Sequence, residues 1–326
     1  MNLLQYQATA PFSQQHLLTL QDYSTDEILQ VLSLALKLKH NLKTQGGYPT
    51  QQGPCSGQTL AMIFTKSSTR TRVSFETGFY QLGGQAMFLS SNDIQLGRGE
   101  PIADTAQVLG RMVDGIMIRT FAHADVEALA KYSGIPVING LTDDYHPCQA
   151  LADLLTYYEH KHTLAGKLAF IGDGNNVAHS LLIACSKVGM DVAIASPAGY
   201  APRADIVALA QENAKAHGSE VLITTDPVAA VHNADCIYTD VWASMGQESE
   251  QSKREAAFDG FQVNRALMAH AKPDVIFQHC LPAHRGEEVT ADIIDGPASV
   301  VYDEAENRLH AQKAVMVLLM GRTAGK

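Results

Sequence analysis

The chain has 326 residues, 46% of them hydrophobic and 18% charged, with 34 acidic against 24 basic side chains and a net charge of -10. That balance argues against nucleic acid or an anionic membrane as partner, and no run of about 18 uncharged apolar residues is present to span a bilayer as a helix. Any anion must be captured locally, and at roughly 150 residues per domain the length predicts two domains.

The N-terminal stretch Met1 to Asp22 carries no Lys or Arg and no long apolar block, so no signal or transit peptide is expected. Ser24-Thr25-Asp26-Glu27 has the S-x-x-E form of a capping box, and Ile28, Val31, Leu32, Ala35 and Leu36 recur at helical spacing. A helix of about four turns follows from that pattern. Next, Leu60 to Phe64 reads as a strand, and Ser68-Thr69-Arg70-Thr71-Arg72 leads from it into a helix through Phe75 and Leu82. Three hydroxyls and two guanidinia on a strand-to-helix turn exceed what a helix cap needs. Together with the orphan N–H groups and partial positive charge of a helix N-terminus they predict an oxyanion site.

Strand and helix then alternate: Ala86 to Leu89 as strand, Asp104 to Met112 as helix, Gly115 to Ile118 as strand, Val126 to Tyr132 as helix and Ile135 to Asn139 as strand. His146-Pro147 opens a helix from Pro147 to Glu159, with Pro where a helix begins, and the pattern restarts. Lys167 to Ile171, Asp191 to Ala195 and Glu220 to Thr224 read as strands separated by helices near Ala178 to Val188 and Arg203 to His217. Cys236 to Val241, Val275 to His279 and Ser299 to Tyr302 are expected to complete a second sheet, with Ala305 to Met320 as the last helix. The fold class is therefore α/β, with two doubly wound parallel-sheet domains and the active site in the cleft between them. Their expected extents are 1–146 and 147–303, with 304–326 a C-terminal helix returning to the first domain.

Gly172-Asp173-Gly174 after a strand suggests a dinucleotide site, but Val177 stands where the third glycine belongs and Ser196 where a ribose-binding acid is wanted. Asn175-Asn176, which follow, either cap a helix or hold a carboxylate. The five cysteines, Cys55, Cys148, Cys185, Cys236 and Cys280, are odd in number and lack C-x-x-C spacing. They point to a reducing cytoplasm. His146, Cys148, His279, Cys280 and His284 lack the paired spacings of a zinc site, and no metal is expected.

Lys66 to Thr71 resembles the S-T-R-T carbamoyl-phosphate loop of the carbamoyltransferase family. His146 to Asp153 is similar to its H-P-x-Q-x-L-A-D element, and His279 to Val289 to its H-C-L-P-x-x-R-G-x-E-V element. Asp240 to Gly246 resembles the D-x-W-x-S-M-G segment of the ornithine-specific branch; the putrescine branch lacks S-M-G, and the aspartate branch lacks the H-C-L-P element. The resemblance implies transfer of a carbamoyl group from carbamoyl phosphate to the δ-amine of L-ornithine, giving citrulline and phosphate in arginine metabolism. It implies no cofactor, because the leaving phosphate already activates the acyl carbon.

Carried over residue by residue, the resemblance assigns the phosphate to Ser68, Thr69, Arg70, Thr71, Arg119 and Arg308. It gives the carbonyl oxygen to Thr71, Arg119 and His146, and the carbamoyl nitrogen to Gln149 and the backbone of Cys280 and Leu281. Asn176 and Met245 would take the ornithine carboxylate, Asp240 and Ser244 the α-ammonium, and Cys280 would face the δ-amine. It further implies a homotrimer in which Gln95 reaches into a neighbour's site. Carbamoylation of putrescine or another amine remains an alternative. From other classes, so do an NAD-dependent dehydrogenase and a metabolite-binding protein without turnover.

Overall fold

The structure, a computed structural model, describes residues 2–48, 52–243 and 250–321. The chain divides into two compact units, one of Asn2–Leu155 with the chain from Glu306 onward, the other of Thr156–Ala305. Among the described residues no helix is long and apolar enough to cross a membrane.

The first unit opens with α1 (Thr25–Gln45), whose predicted capping box is formed. Ser24 Oγ accepts the Glu27 N–H at 3.2 Å and the Glu27 carboxylate accepts the Ser24 N–H at 2.9 Å. The helix runs 21 residues, longer than the apolar spacing predicts, and ends at Gly46 in the left-handed conformation. Its last turns are held by polar contacts that no periodicity reports: Lys39 Nζ donates to Asn307 Oδ1 at 2.8 Å and Lys43 Nζ pairs with Glu306 at 2.7 Å.

Four parallel strands follow with their crossover helices: β1 (Thr59–Phe64), α2 (Thr69–Gln81), β2 (Gln85–Ser90), α3 (Ile102–Leu109), β3 (Gly115–Arg119), α4 (His123–Ser133) and β4 (Val137–Leu141). Their order is β2-β1-β3-β4. The chain leaves β1 for one edge and returns to β3 on its other side, so β1 and β3 flank the switch point where open α/β sheets bind ligands. The central β1 and β3 are buried on both faces, as continuous apolar runs require.

The helix α5 (Pro147–Lys161) carries the chain into the second unit. There β5 (Lys167–Ile171), α6 (Asn176–Val188), β6 (Asp191–Ala195), α7 (Ala204–His217), β7 (Val221–Thr224), α8 (Pro227–Val231) and β8 (Cys236–Thr239) appear in turn. They are followed by α9 (Gln251–Ala257), α10 (Arg265–Met268), β9 (Ile276–His279) and α11 (Ala291–Ile294). The five strands are parallel in the order β7-β6-β5-β8-β9, which puts the switch point between β5 and β8.

The expected strand at Ser299 to Tyr302 is not formed. Ser299 makes one bridge to Phe277, and Val301 already begins α12 (Val301–Met320). The β-branched run is overridden because Glu304, in the first turn of α12, accepts the Tyr238 hydroxyl at 3.1 Å and the His279 N–H at 2.9 Å. Those buried contacts require the helix to start before Glu304, four residues earlier than the apolar pattern indicates.

Candidate active site

At the carboxyl end of β1 the backbone turns through Thr65, whose N–H donates to the Arg119 carbonyl at 2.9 Å, tying the ends of β1 and β3. Ser68 is the N-cap of α2, in extended conformation, its Oγ accepting the Thr71 N–H at 3.2 Å. The segment thus caps the helix, and carries further donors beside the cap. Arg308, on α12 and buried, donates to Thr71 Oγ1 at 3.2 Å, to Gln149 Oε1 at 2.7 Å and to Gln312 Oε1 at 2.9 Å. Gln149 is held from its other end, where Nε2 donates to Asp153 at 2.8 Å.

His146 closes this cluster. Its imidazole is buried and held well below its ordinary titration range, first by desolvation and then by the positive charge of Arg308, Arg119 and Arg70. The charges of three guanidinia thus disfavour the protonated ring. Arg72, by contrast, turns away, pairing with Glu76 at 3.2 Å and stacking over Phe88 at 3.8 Å. Gln95 is exposed in the 3₁₀ turn Gln95–Arg98 after β2. A cavity of about 410 Å³ opens beside the ends of β1, β2 and β3, lined in part by Thr65, Ser91, Leu96, Thr120 and Phe121.

In the second unit the turn after β5 uses both glycines. Gly172 has φ +151°, and a Cβ on Gly174 would sit 2.1 Å from the Pro202 nitrogen. This close turn delivers Asn175 to the N-cap of α6, where Oδ1 accepts the N–H groups of Val177 at 2.9 Å and Ala178 at 3.1 Å. Its amide nitrogen donates to Asp240 Oδ2 at 2.8 Å. Asn175 is therefore both cap and support, and Asn176, half-buried, opens the helix beside it.

Asp240, just past β8, is buried, and its Oδ1 accepts the Val241 N–H at 2.8 Å and the Cys280 thiol at 3.1 Å. One carboxylate thus gathers the ends of β5, β8 and β9. Ser244 and Met245, the other expected ornithine contacts, lie outside the described residues.

Three features were not legible from residue type. The Leu281 N–H donates to His279 Nδ1 at 2.9 Å, so that nitrogen is the acceptor and the ring proton sits on Nε2, facing Glu288 at 3.0 Å. Leu281 itself has φ +57°, a left-handed conformation uncommon for Leu, sustained by this bond. Glu288 also accepts the His284 N–H at 2.7 Å. Arg254, on α9, pairs with Asp173 at 2.6 Å and donates to the Trp242 carbonyl at 2.8 Å, while burial pushes the Asp173 carboxyl up. Finally, Lys66 pairs with Asp143.

Asp240, His279 and Cys280 each bring one potential metal ligand within 4.8 Å of the others, as do His284, Glu287 and Glu288. In the first group both ring nitrogens of His279 already serve Leu281 and Glu288, so the donor set suits a hydrogen-bond network better than a cation.

Residues 15–159 match the family model for the aspartate/ornithine carbamoyltransferase carbamoyl-P binding domain, and residues 165–319 match that for the Asp/Orn binding domain. The ornithine carbamoyltransferase of Carboxydothermus hydrogenoformans is 58% identical over 305 residues, covering 93% of this chain and 97% of that protein. That of Geobacillus stearothermophilus is 60% identical over 304 residues, covering 93% and 96%. Among solved structures, the ornithine carbamoyltransferase from Pyrococcus furiosus superposes with a TM-score of 0.91 at 55% identity, covering 96% of this chain and 99% of that one.

Proposed function

The chain belongs to the aspartate/ornithine carbamoyltransferase family, and from that premise we infer that it transfers the carbamoyl group of carbamoyl phosphate to the δ-amine of L-ornithine, giving L-citrulline and phosphate. The observation that carries the donor half is Arg308 reaching both Thr71 Oγ1 in the first turn of α2 and Gln149 Oε1 on α5, with the charges of Arg308, Arg119 and Arg70 disfavouring a protonated His146.

The chemistry follows from those groups. As the bond to phosphate breaks, negative charge grows on the leaving oxygens, and guanidinia already in place counter it without reorganising. Ser68, Thr69 and Thr71 add hydroxyl and backbone donors at the helix N-terminus. A neutral His146 polarises the carbonyl as a hydrogen-bond donor. It does not serve as a proton source, because its protonated form is disfavoured by the same guanidinia that bind the donor. Gln149, oriented by Arg308 and Asp153, presents its amide toward the carbamoyl group.

In the second unit Asp240 is an acceptor organised by Val241, Asn175 and Cys280, suited with Ser244 to an α-ammonium, with Asn176 and Met245 assigned to the substrate carboxylate. Because the Cys280 thiol donates to Asp240, it is arranged as a hydrogen-bond donor, and a direct attack by the neutral δ-amine needs no covalent enzyme intermediate. A closed trimer sharing Gln95 and a cytoplasmic setting, for which the five free cysteines speak, belong to the same proposal. The test is a product assay offering ornithine, putrescine and aspartate in turn. Citrulline from ornithine alone is expected, since the diamine would leave Asp240 and Asn176 without their partners. Equal turnover of putrescine would move the chain to a sister activity.

A further inference from the structure

Three strands of the first sheet end side by side and each carries part of the donor site: β1 leads to Ser68–Thr71, β3 ends in Arg119, and β4 leads to His146. The loops beyond them share few backbone ties, namely Thr65 N–H to the Arg119 carbonyl at 2.9 Å, Thr120 N–H to the Leu141 carbonyl at 2.9 Å and Asp143 N–H to the Phe121 carbonyl at 2.8 Å. One side chain reaches across all three. Lys66 sits two residues before Ser68, its side chain 7% exposed, with Nζ 2.5 Å from Asp143 Oδ1 in the loop after β4. The same ammonium lies 4.1 Å from the centre of the Phe121 ring in the loop after β3.

We propose that Lys66 is a positioning residue for the donor site, its ammonium clamping the loops after β3 and β4 so that Ser68–Thr71, Arg119 and His146 keep one register. The proposal rests on the reading of Ser68–Thr71 as the carbamoyl-phosphate loop. A buried ammonium on a long flexible stem is costly to hold unless paired, and here both of its partners lie on the neighbouring loops rather than on its own. Its two contacts differ in kind: the Asp143 carboxylate holds the tip as an ion pair, and the Phe121 ring attracts the same ammonium through its face.

The test is steady-state kinetics of the full chain carrying Lys66→Met, Asp143→Asn, both together, and Lys66→Arg, with unfolding midpoints recorded in parallel. Lys66→Met keeps the apolar stem over Phe121 and loses the charge, while Asp143→Asn alters a largely exposed carboxylate and so leaves folding least at risk. Lys66→Met and Asp143→Asn are each expected to raise KM for carbamoyl phosphate roughly ten- to hundredfold with a smaller change in KM for ornithine, the scale of a sub-ångström to one-ångström misplacement. The double variant should be no worse than Lys66→Met, and Lys66→Arg should recover most of the loss.

Unchanged carbamoyl-phosphate KM in Lys66→Met would overturn the proposal, whatever happens to the midpoint. So would a near-normal Asp143→Asn beside an impaired Lys66→Met, because Lys66 would then touch the phosphate itself. Multiplicative losses in the double variant would also overturn it by making the two residues independent. Arg70→Ala, run alongside, separates the two levels: if it keeps normal kinetics the loop reading fails and the Lys66 role with it. If Arg70→Ala is impaired while Lys66→Met is normal, only the Lys66 role falls.

Discussion

Replacing His146 by Asn should flatten the acid limb of the stability profile. An ordinary imidazole titrates near 6.5, and in the folded chain burial together with Arg308, Arg119 and Arg70 holds this one well below that value. Above about pH 6.5 neither the folded nor the unfolded state protonates it, and the group contributes no penalty. As pH falls below 6.5 the unfolded chain takes up a proton that the folded chain refuses, so stability is lost at up to about 1.4 kcal/mol per pH unit. At pH 5 the loss amounts to about 2 kcal/mol. His310, held down to about 4 by burial and neighbouring lysines, adds a similar slope in the same window, so the measurement must be a difference. Urea unfolding followed by circular dichroism, on wild type and His146→Asn at pH 7.5 and pH 5, gives four free energies. The wild type should lose about 2 kcal/mol more than the variant over that interval, whatever the variant's stability at pH 7.5. Millimolar inorganic phosphate, by offsetting the guanidinium charge, should shrink that excess. Parallel losses in the two proteins would show that His146 is protonated in the fold or exposed to solvent, and the neutral-donor role would fall with it.

Arg70→Ala should abolish turnover with little change in unfolding midpoint, because the side chain is half-buried and belongs to the donor cluster rather than to the apolar core; normal activity at normal carbamoyl-phosphate affinity would sink the loop assignment. Asn175→Ala removes two cap bonds and the support of Asp240, so it should cost about 1 kcal/mol of stability and raise KM for ornithine far more than that for carbamoyl phosphate. Equal changes in both constants would contradict the assignment of Asp240. Mixing Gln95→Ala chains with Arg70→Ala chains and reassembling them should restore part of the activity if sites are shared in a closed oligomer, and no recovery from two impaired parents would refute the trans role of Gln95.

What the sequence made legible were contacts that close within a few residues. The capping box of Ser24 and Glu27, the cap at Ser68, the buried run of β1 and the proline start of α5 each depend on neighbours three or four positions away. Ser299 to Tyr302 shows where that locality fails. Its β-branched residues favour a strand, and the helix wins because Glu304 reaches Tyr238, 66 positions back, and His279, 25 positions back. Arg308 and Thr71, or Lys66 and Asp143, meet across 237 and 77 positions, and no period or propensity registers such a pair. Asn175 was legible as a residue type but not in its use. The choice between cap and ligand contact dissolves once one amide is seen to offer its oxygen to the helix and its nitrogen to Asp240.

Under the proposed assignment of the two sites, their charge logic explains how an acidic chain can handle an anion and a cation in one reaction. In the first unit the guanidinia remain charged under all ordinary conditions, so the ring that joins them must stay neutral. A protonated His146 would add a like charge to the cluster and compete with it for the donor's oxygens. In the second unit the reverse holds. Asp240 is surrounded by neutral donors, a backbone N–H, an amide and a thiol, which orient the carboxylate without cancelling its charge. A lysine or arginine in place of Asn175 would satisfy the same oxygen and neutralise the attraction for an α-ammonium. The nearby Asp173 is treated differently: its carboxylate is paired with the Arg254 guanidinium, whereas the partners of Asp240 are neutral donors.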